Sequence, residues 1–241
     1  MSIKFPPLRY LLILAAILSA CVNSQPQPTP GAFIEAPANT PLTPKPDQNI
    51  IPLPEANLHG TLTLEETLAQ RRSIRQFQDL PLTDSQIGQL LWAAQGVTNP
   101  TGLRTAPSAG ARYPLEVYAA TQDGLFRYLP AQHSLDQVLT HDPRPELYQA
   151  ALQQDAVLEA SLVIVICAVF ERAAQRYGDA RTPQYVYLET GHAAQNILLQ
   201  AVALELGAVP IGAFFDEQIS QSLSLPPNEK PVYIIPIGHP R

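Results

Sequence analysis

Residues 182–215 read TPQYVYLETGHAAQNILLQAVALELGAVPIGAFF, and this stretch decides the architecture. Thr182 suits a helix N-cap, and Pro183 suits the first helical position, where the amide it lacks would have no intrahelical acceptor. From Ile197 to Leu206 only Gln200 and Glu205 are polar. A helix so apolar around its circumference is expected to be covered on most sides rather than to lie on a surface. Gly191, Ala193 and Ala194 keep its first half slim enough for a backbone or a flat ring to approach. Gly207 is placed to end the helix, and the chain then runs directly into the apolar segment from Ala208 to Phe215.

Working outward, Thr63-Leu64-Glu65-Glu66 and Thr83-Asp84-Ser85-Gln86 are capping-box patterns that open helices. After the second, Ile87, Leu90, Leu91 and Ala94 keep helical spacing, and Gly96 is the expected stop. Residues 99–113, rich in Gly, Pro, Ser and Thr, read as a loop. Strand-like runs at 116–121 and 125–129 flank Asp123-Gly124, a hairpin signal. A helical region is expected over 134–140 and 145–159. Ser161 to Phe170 (SLVIVICAVF) is a continuous run dominated by β-branched residues, hence a strand buried on both faces. Beyond the central helix come a strand-like 209–215, a helix near 217–223, a Pro226-Pro227-Asn228 turn and a last strand at 232–237. Helices and strands interleave without a strict βαβ beat, so the expected class is α+β, a sheet covered by helices in one domain.

The 241 residues suffice for one domain of about 150 to 200 residues plus appendages. Lys4 and Arg9 precede a short apolar run from Leu11 to Leu18. Leu18-Ser19-Ala20-Cys21 then resembles the lipobox of bacterial lipoproteins, in which Cys21 becomes the lipidated first residue. The expected division is therefore a signal peptide over 1–20, a Pro/Gln-rich flexible tether over 21–57 and a folded domain over 58–241. Val22, rather than an aspartate, follows the cysteine, which by analogy with lipoprotein sorting favours the periplasmic face of the outer membrane if the host is Gram-negative. The formal charge is −6 with scattered basic residues, which argues against nucleic acid as a partner.

Familiar catalytic signatures are absent. There is no GxGxxG after a strand, no P-loop, no GxSxG, no HExxH and no CxxC, and the five histidines lack metal-ligand spacing. Neither metal-centred nor triad chemistry is expected. Three stretches remain. Arg71-Arg72-Ser73-Ile74-Arg75 offers three guanidinium groups and a hydroxyl that could hold an anion and the carbonyl edge of a planar heterocycle, or could form a solvated basic turn. Arg104 to Pro114 is a loop of small residues whose backbone could lie close to a flat ligand. Gly207 to Gly212 again permits close approach.

In order, RRSIRQF, APSAGARYPLEVY, GLFRYLPAQHSL, LETGHAAQNILLQAVALELGAVPIGAF and VYIIPIGHP closely resemble the nitroreductase-like flavoproteins, specifically their SagB-type dehydrogenase branch. The likeness covers Leu62 to Arg241. It implies a nitroreductase-like fold with a mostly antiparallel sheet and a long buried core helix. It also implies a homodimer with two sites at its interface, one non-covalent FMN per site and a small-molecule substrate. Arg71, Arg72, Ser73 and Arg75 match the motif that in this family holds the FMN phosphate, ribityl chain and pyrimidine edge. Pro107, Ser108, Ala109 and Gly110 match the loop laid against the partner subunit's flavin. Pro210, Ile211 and Gly212 match the segment facing the ring near N5.

The pattern departs from the family in two places. Many members clamp the phosphate with further basic residues near the C-terminus, where this chain has Arg241; either Arg241 does that work alone or the clamp is weaker. Azoline-oxidising SagB-type enzymes carry a Lys-Tyr pair ahead of the core helix, whereas this chain has Arg176-Tyr177. Arginine stays protonated and is a poor base, which argues against azoline oxidation. Tyr177 stands as a candidate proton donor or as a packing tyrosine near a helix start. His192 reads as a hydrogen-bonded structural histidine, Cys167 as inert within a buried strand and Trp92 as packing. The leading expectation is a lipid-anchored FMN-dependent oxidoreductase. Its rival is a non-catalytic flavin-fold lipoprotein acting as a binding or assembly module, favoured by the scarcity of NAD(P)H outside the cytoplasm.

Overall fold

In the computed structural model, residues 50–241 are described. The expected signal peptide, the lipidation site at Cys21 and most of the tether lie outside the described residues. The elements in chain order are β1 (Ile50–Pro52), α1 (Leu64–Gln70), α2 (Asp84–Gln95), β2 (Leu115–Thr121), β3 (Gly124–Leu129), β4 (Ser134–Leu139), α3 (Arg144–Ala150), α4 (Asp155–Glu159), β5 (Leu162–Ala168), α5 (Phe170–Tyr177), α6 (Thr182–Ala203), β6 (Gly207–Ala208), α7 (Asp216–Ser222) and β7 (Lys230–Gly238). The strands form one sheet in the order β1-β4-β3-β2-β5-β7-β6, and every neighbouring pair is antiparallel.

Strand β5 is buried along its whole length, and its alternation explains the continuous apolar run. Leu162, Ile164, Ile166 and Ala168 enter one core with residues of α2, α5 and α6, while Val163, Val165 and Cys167 enter a second core with residues of α3, α4 and α7. A strand with helices on both sides has no solvent-facing set, so polar alternation disappears even in an antiparallel sheet. Fully burying each Leu, Ile or Val here contributes about 1.5–3 kcal/mol.

Both capping boxes form: Thr63 accepts from the Glu66 amide and Thr83 from the Gln86 amide, and each partner side chain reaches back to the cap amide. Gly96 ends α2 as expected.

The core helix departs in detail from its sequence reading. Arg181, not Thr182, is its N-cap; Thr182 is already helical, and its hydroxyl donates to the Gly178 carbonyl at 2.9 Å. The helix stops before Gly207. Leu204 is its C-cap, Glu205 takes the left-handed turn at φ 57°, and the Leu206 amide returns to Ala201 O at 2.8 Å. Its second half buries Ile197, Leu198 and Ala201, but Tyr187 and Leu188 in the first half are 58% and 52% exposed.

Four further expectations are corrected. Residues 134–139 form strand β4 rather than helix, because they pair on one side with β3 and on the other with β1; tertiary pairing overrides a weak local preference. The segment 50–57, assigned to the tether by its composition, belongs to the folded unit. Ile50–Pro52 is an edge strand, where proline is tolerated, and the Leu53 amide donates to His133 O at 3.1 Å and the Asn57 amide to Gln89 Oε1 at 2.7 Å. Residues 209–215 carry only an isolated Ile211–Ile234 bridge, with Pro210 interrupting the ladder. Helix α5, which begins two residues after β5, was not expected from the sequence.

Candidate functional site

Helix α1 ends in the basic stretch. Arg71 is its C-cap, in extended conformation, and its amide closes on Thr67 O. The chain then runs straight between β6 and the C-terminus. Ser73 bridges Ala208, the Ile74 amide donates to Ala208 O at 3.0 Å, Phe77 bridges Pro240, and the Gln78 amide donates to His239 O at 2.8 Å. The fold therefore brings 71–75, 207–212 and 240–241 together.

Gly207 is the hinge of this arrangement. A Cβ there would stand 2.7 Å from Ile74 Cγ2 and 2.8 Å from Ile74 Cβ, so the residue is glycine to admit the strip carrying the arginines. Gly207→Ala is expected to cost about 1–3 kcal/mol by overpacking and to move the strip; a thermal midpoint equal to that of the unaltered protein would contradict it.

Arg72 and Arg75 are exposed and Arg71 is half-buried. Among the described residues none of the three has a carboxylate partner. Arg72 folds back on the end of α1, donating to Ala69 O at 3.0 Å and Arg71 O at 2.7 Å. It borders a cavity of about 370 Å³ with Ile74, Leu198, Val202 and Ala208. Arg75 borders a second, also of about 370 Å³, with Gln154, Glu159, Val209 and Ile211. Arg241 is committed differently: its amide donates to Gln76 O at 3.3 Å, and its guanidinium lies 3.8 Å from Glu159 in a largely exposed pair. Pro210 is half-buried, Ile211 buried and Gly212 exposed.

The loop 107–110 lies elsewhere. Ala109–Ala111 is a single 3-10 turn, with Gly110, Ala111 and Tyr113 at φ 59°, 51° and 44°. Gly110 packs under the end of α5: a Cβ there would come within 2.8 Å of the Tyr177 hydroxyl and 3.0 Å of Arg176 Cδ. The candidate proton donor is thus seated on the loop, and its ring also packs against Tyr185 with centroids 4.4 Å apart.

Beneath the loop is a buried polar cluster that sequence reasoning did not single out. Glu189 of α6 and Gln95 of α2 are 2% and 0% exposed. Arg104 donates to Gln95 Oε1 at 2.9 Å and stacks over the Tyr113 ring at 4.4 Å. Arg172 donates to Tyr113 O at 3.0 Å and pairs with Glu116. The Tyr113 amide donates to Ser108 Oγ at 2.8 Å. Burial pushes the Glu189 carboxyl up to about 7, partly offset by Ser108, Arg104, Gln95 and Arg172, which favour its charged form. Even so, Glu189 Oε1 and Gln95 Nε2 have no hydrogen-bond partner among the described residues. Burial also lowers the Arg104 pKa, against the opposing pull of Glu116, Tyr113 and Glu189. The available signal was two polar residues, Gln95 and Glu189, among the mostly apolar buried residues of α2 and α6.

The two groups lie apart along α6. Leu198 and Val202 share a cavity with Arg72, whereas Glu189 lies under the loop; at 1.5 Å per residue the separation is roughly 13–20 Å. One protomer joins the first and third sequence stretches; the second meets α6 at Asn196, whose Nδ2 donates to Thr105 O at 3.3 Å, while its turn at Gly110 lies against Tyr177. Of the remaining residues, His192, expected as a hydrogen-bonded structural histidine, is exposed and has no side-chain hydrogen bond among the described residues. Cys167 is fully buried with its thiol pKa pushed up by burial, and Trp92 is half-buried.

Guanidinium groups with no carboxylate partner among the described residues, beside ligand-sized cavities and next to a backbone strip that admits no Cβ at Gly207, fit a phosphorylated planar cofactor. Residues 68–239 match the nitroreductase family, and the chain belongs to that family. It is 41% identical over 183 residues to a Methanocaldococcus jannaschii protein named as a nitroreductase, covering 73% of this chain and 91% of that one. It is 27% identical over 183 residues to the NADPH-flavin oxidoreductase of Vibrio harveyi, covering 73% of this chain and 65% of that one. A solved nitroreductase structure from Ralstonia eutropha superposes with a TM-score of 0.73 at 34% identity, covering 80% of this chain and 90% of the other.

Proposed function

We propose that this protein is an FMN-dependent oxidoreductase of the nitroreductase type, akin to SagB-type dehydrogenases, that acts on a small molecule as a lipid-anchored homodimer. The observation that carries the reading is the strip 71–75, pinned to Ala208 by Ser73 and Ile74, with three guanidinium groups lacking any carboxylate partner among the described residues. Membership of the nitroreductase family and the likeness to a flavin oxidoreductase support it.

Arg71, Arg72, Ser73 and Arg75 would hold the phosphate, ribityl chain and pyrimidine edge, and cations there stabilise negative charge on a reduced ring. The backbone of Pro210, Ile211 and Gly212 would face the ring near N5. FMN would supply two-electron chemistry, accepting a hydride equivalent from a reductant and passing it to an electrophilic small molecule. Arg241, already paired with Glu159, would add a secondary contact at most. Tyr177 would hold a proton at its phenolic oxygen for the substrate.

The dimer reading rests on the separation along α6. The 107–110 turn lies by Glu189, about 13–20 Å along α6 from the Leu198 and Val202 that border the Arg72 cavity, and would serve a second copy's flavin. Apolar side chains stand uncovered to form an interface: Tyr187 and Leu188 on α6, and Leu64 and Leu68 on α1, at 61% and 52% exposure. The anchor is proposed from the lipobox at Cys21. Cys21→Ser is expected to move the protein from the membrane to the soluble fraction and abolish lipid labelling; a mutant that is still labelled would overturn it.

The activity is tested with the purified full chain. Its flavin is expected to bleach with dithionite and to be reoxidised by a nitroaromatic or quinone acceptor over many turnovers. A protein that binds FMN but transfers no electrons to any acceptor would favour a non-catalytic binding module instead.

A further inference from the structure

A further cavity lies away from the arginine strip. It measures about 400 Å³, inside the range of roughly 300–1,000 Å³ typical of small-molecule sites. It shares only Glu159 with the Arg75 cavity and no residue with the Arg72 cavity. The segment 77–82, the first turn of α2 and residues of β2, β3 and β4 enclose it. Much of its lining is apolar, with Phe77, Leu82, Ile87, Phe126 and Leu135. Leu80 and Leu158 belong to the same lining and are 48% and 47% exposed, so apolar surface continues out to the mouth. Such surface favours a ligand with an apolar body.

The uncommitted charge around this cavity has one sign. Two arginines line it, and both are engaged: Arg144 pairs with Asp142 at 2.7 Å and donates to Ala160 O at 2.8 Å, and Arg241 lies 3.8 Å from Glu159. Three further carboxylates line it, those of Asp79, Asp84 and Asp123. None of the three has an ion pair or a side-chain hydrogen bond among the described residues. Asp84 stands in the first turn of α2, where its charge complements the helix dipole, and Asp123 serves the β2–β3 turn. Asp79 has no such local role. Among the described residues no three His, Cys, Asp or Glu side chains are grouped to hold a metal ion, so the negative charge is spread around the cavity rather than gathered for a bare cation. An anion would have to draw Arg144 or Arg241 from its partner and settle beside three carboxylates. A cation with an apolar body meets complementary charge and complementary surface at once.

We propose that this cavity is a binding site, separate from that of the flavin, for a small organic cation whose ammonium group faces the aspartates and whose apolar body lies against Phe126 and Leu135. The site does not depend on the flavin reading. Three probes of one shape and different charge test it: 3-phenylpropylammonium, 3-phenylpropan-1-ol and 3-phenylpropanoate, each titrated at pH 7 into the full chain and followed by saturation-transfer NMR of the probe. The ammonium probe is expected to saturate and to bind about fivefold or more tightly than the alcohol, with the acid weaker still. In the double variant Asp79→Asn, Asp123→Asn the ammonium affinity should fall about fivefold while that of the alcohol changes little. Asparagine suits the turn at 123, and position 79 is exposed, so the fold is kept. Added FMN should leave the ammonium affinity unchanged. The proposal is overturned if no probe saturates, if the alcohol or the acid binds as tightly as the ammonium, or if the double variant binds the ammonium as well as the unaltered protein does. Displacement of the ammonium by FMN would overturn it too, by assigning the cavity to the flavin.

Discussion

Arg72→Ala is expected to weaken FMN binding ten- to a hundredfold. The Arg72 guanidinium is exposed and borders a cavity of about 370 Å³. Its two hydrogen bonds go to carbonyls at the end of its own helix, and among the described residues it has no carboxylate in salt-bridge contact. Hydrogen bonds to a charged group are worth about 1.5–3 kcal/mol, which sets the tenfold to hundredfold range. Arg72→Lys should recover only part of the loss, because an ammonium keeps the charge but not the planar fork. Arg75→Ala should behave alike. The flavin-free melting temperature should change little, since Arg72 bridges only local carbonyls. A variant that loses flavin-free stability but keeps its FMN affinity would show that the stretch is structural.

The second large effect is on stability. Glu189→Gln is expected to stabilise the protein by about 3 kcal/mol at pH 8 and by nothing below pH 4. The folded carboxyl is raised from 4.5 to about 7, chiefly by burial, so the folded state binds this proton more tightly than the unfolded chain does. Its contribution is complete below the unfolded value, declines as pH rises from 4.5 to 7 and is lost above 7. Each pKa unit corresponds to about 1.4 kcal/mol, and glutamine, never ionised, escapes the loss. Denaturant unfolding of both proteins from pH 4 to 8 checks this. Curves that stay parallel would mean that the Glu189 carboxyl has its ordinary pKa.

Much of this architecture was legible because local chemistry and tertiary context agreed. Thr63 and Thr83 announced α1 and α2 through side chains that bond within four residues, and Asp123-Gly124 announced the β2–β3 turn. The β5 run was readable because it is buried on both faces. What failed was set by distant partners. Ser134–Leu139 is a strand because β1 and β3 flank it, and β1 comes from a proline-rich segment that composition alone assigns to a tether. Gly207 looked like a helix stop, yet Glu205 makes that turn and Gly207 exists to admit Ile74. At the site, the arginine stretch was visible as a cluster in the sequence. The Gln95–Arg104–Glu189 cluster was not, because its members are separated by up to 94 residues in the chain and meet only once α2, α6 and the loop have packed.

Sedimentation velocity of the purified protein, recorded together in the protein and flavin absorption bands, tests the central claim most directly. A single boundary at the mass of a dimer, carrying one FMN per chain and losing its flavin as it dissociates, is the expected result. A colourless protein that takes up no added FMN, or a stable monomer holding a full equivalent of it, would contradict an interfacial flavin site built from the arginine strip of one copy and the 107–110 loop of the other.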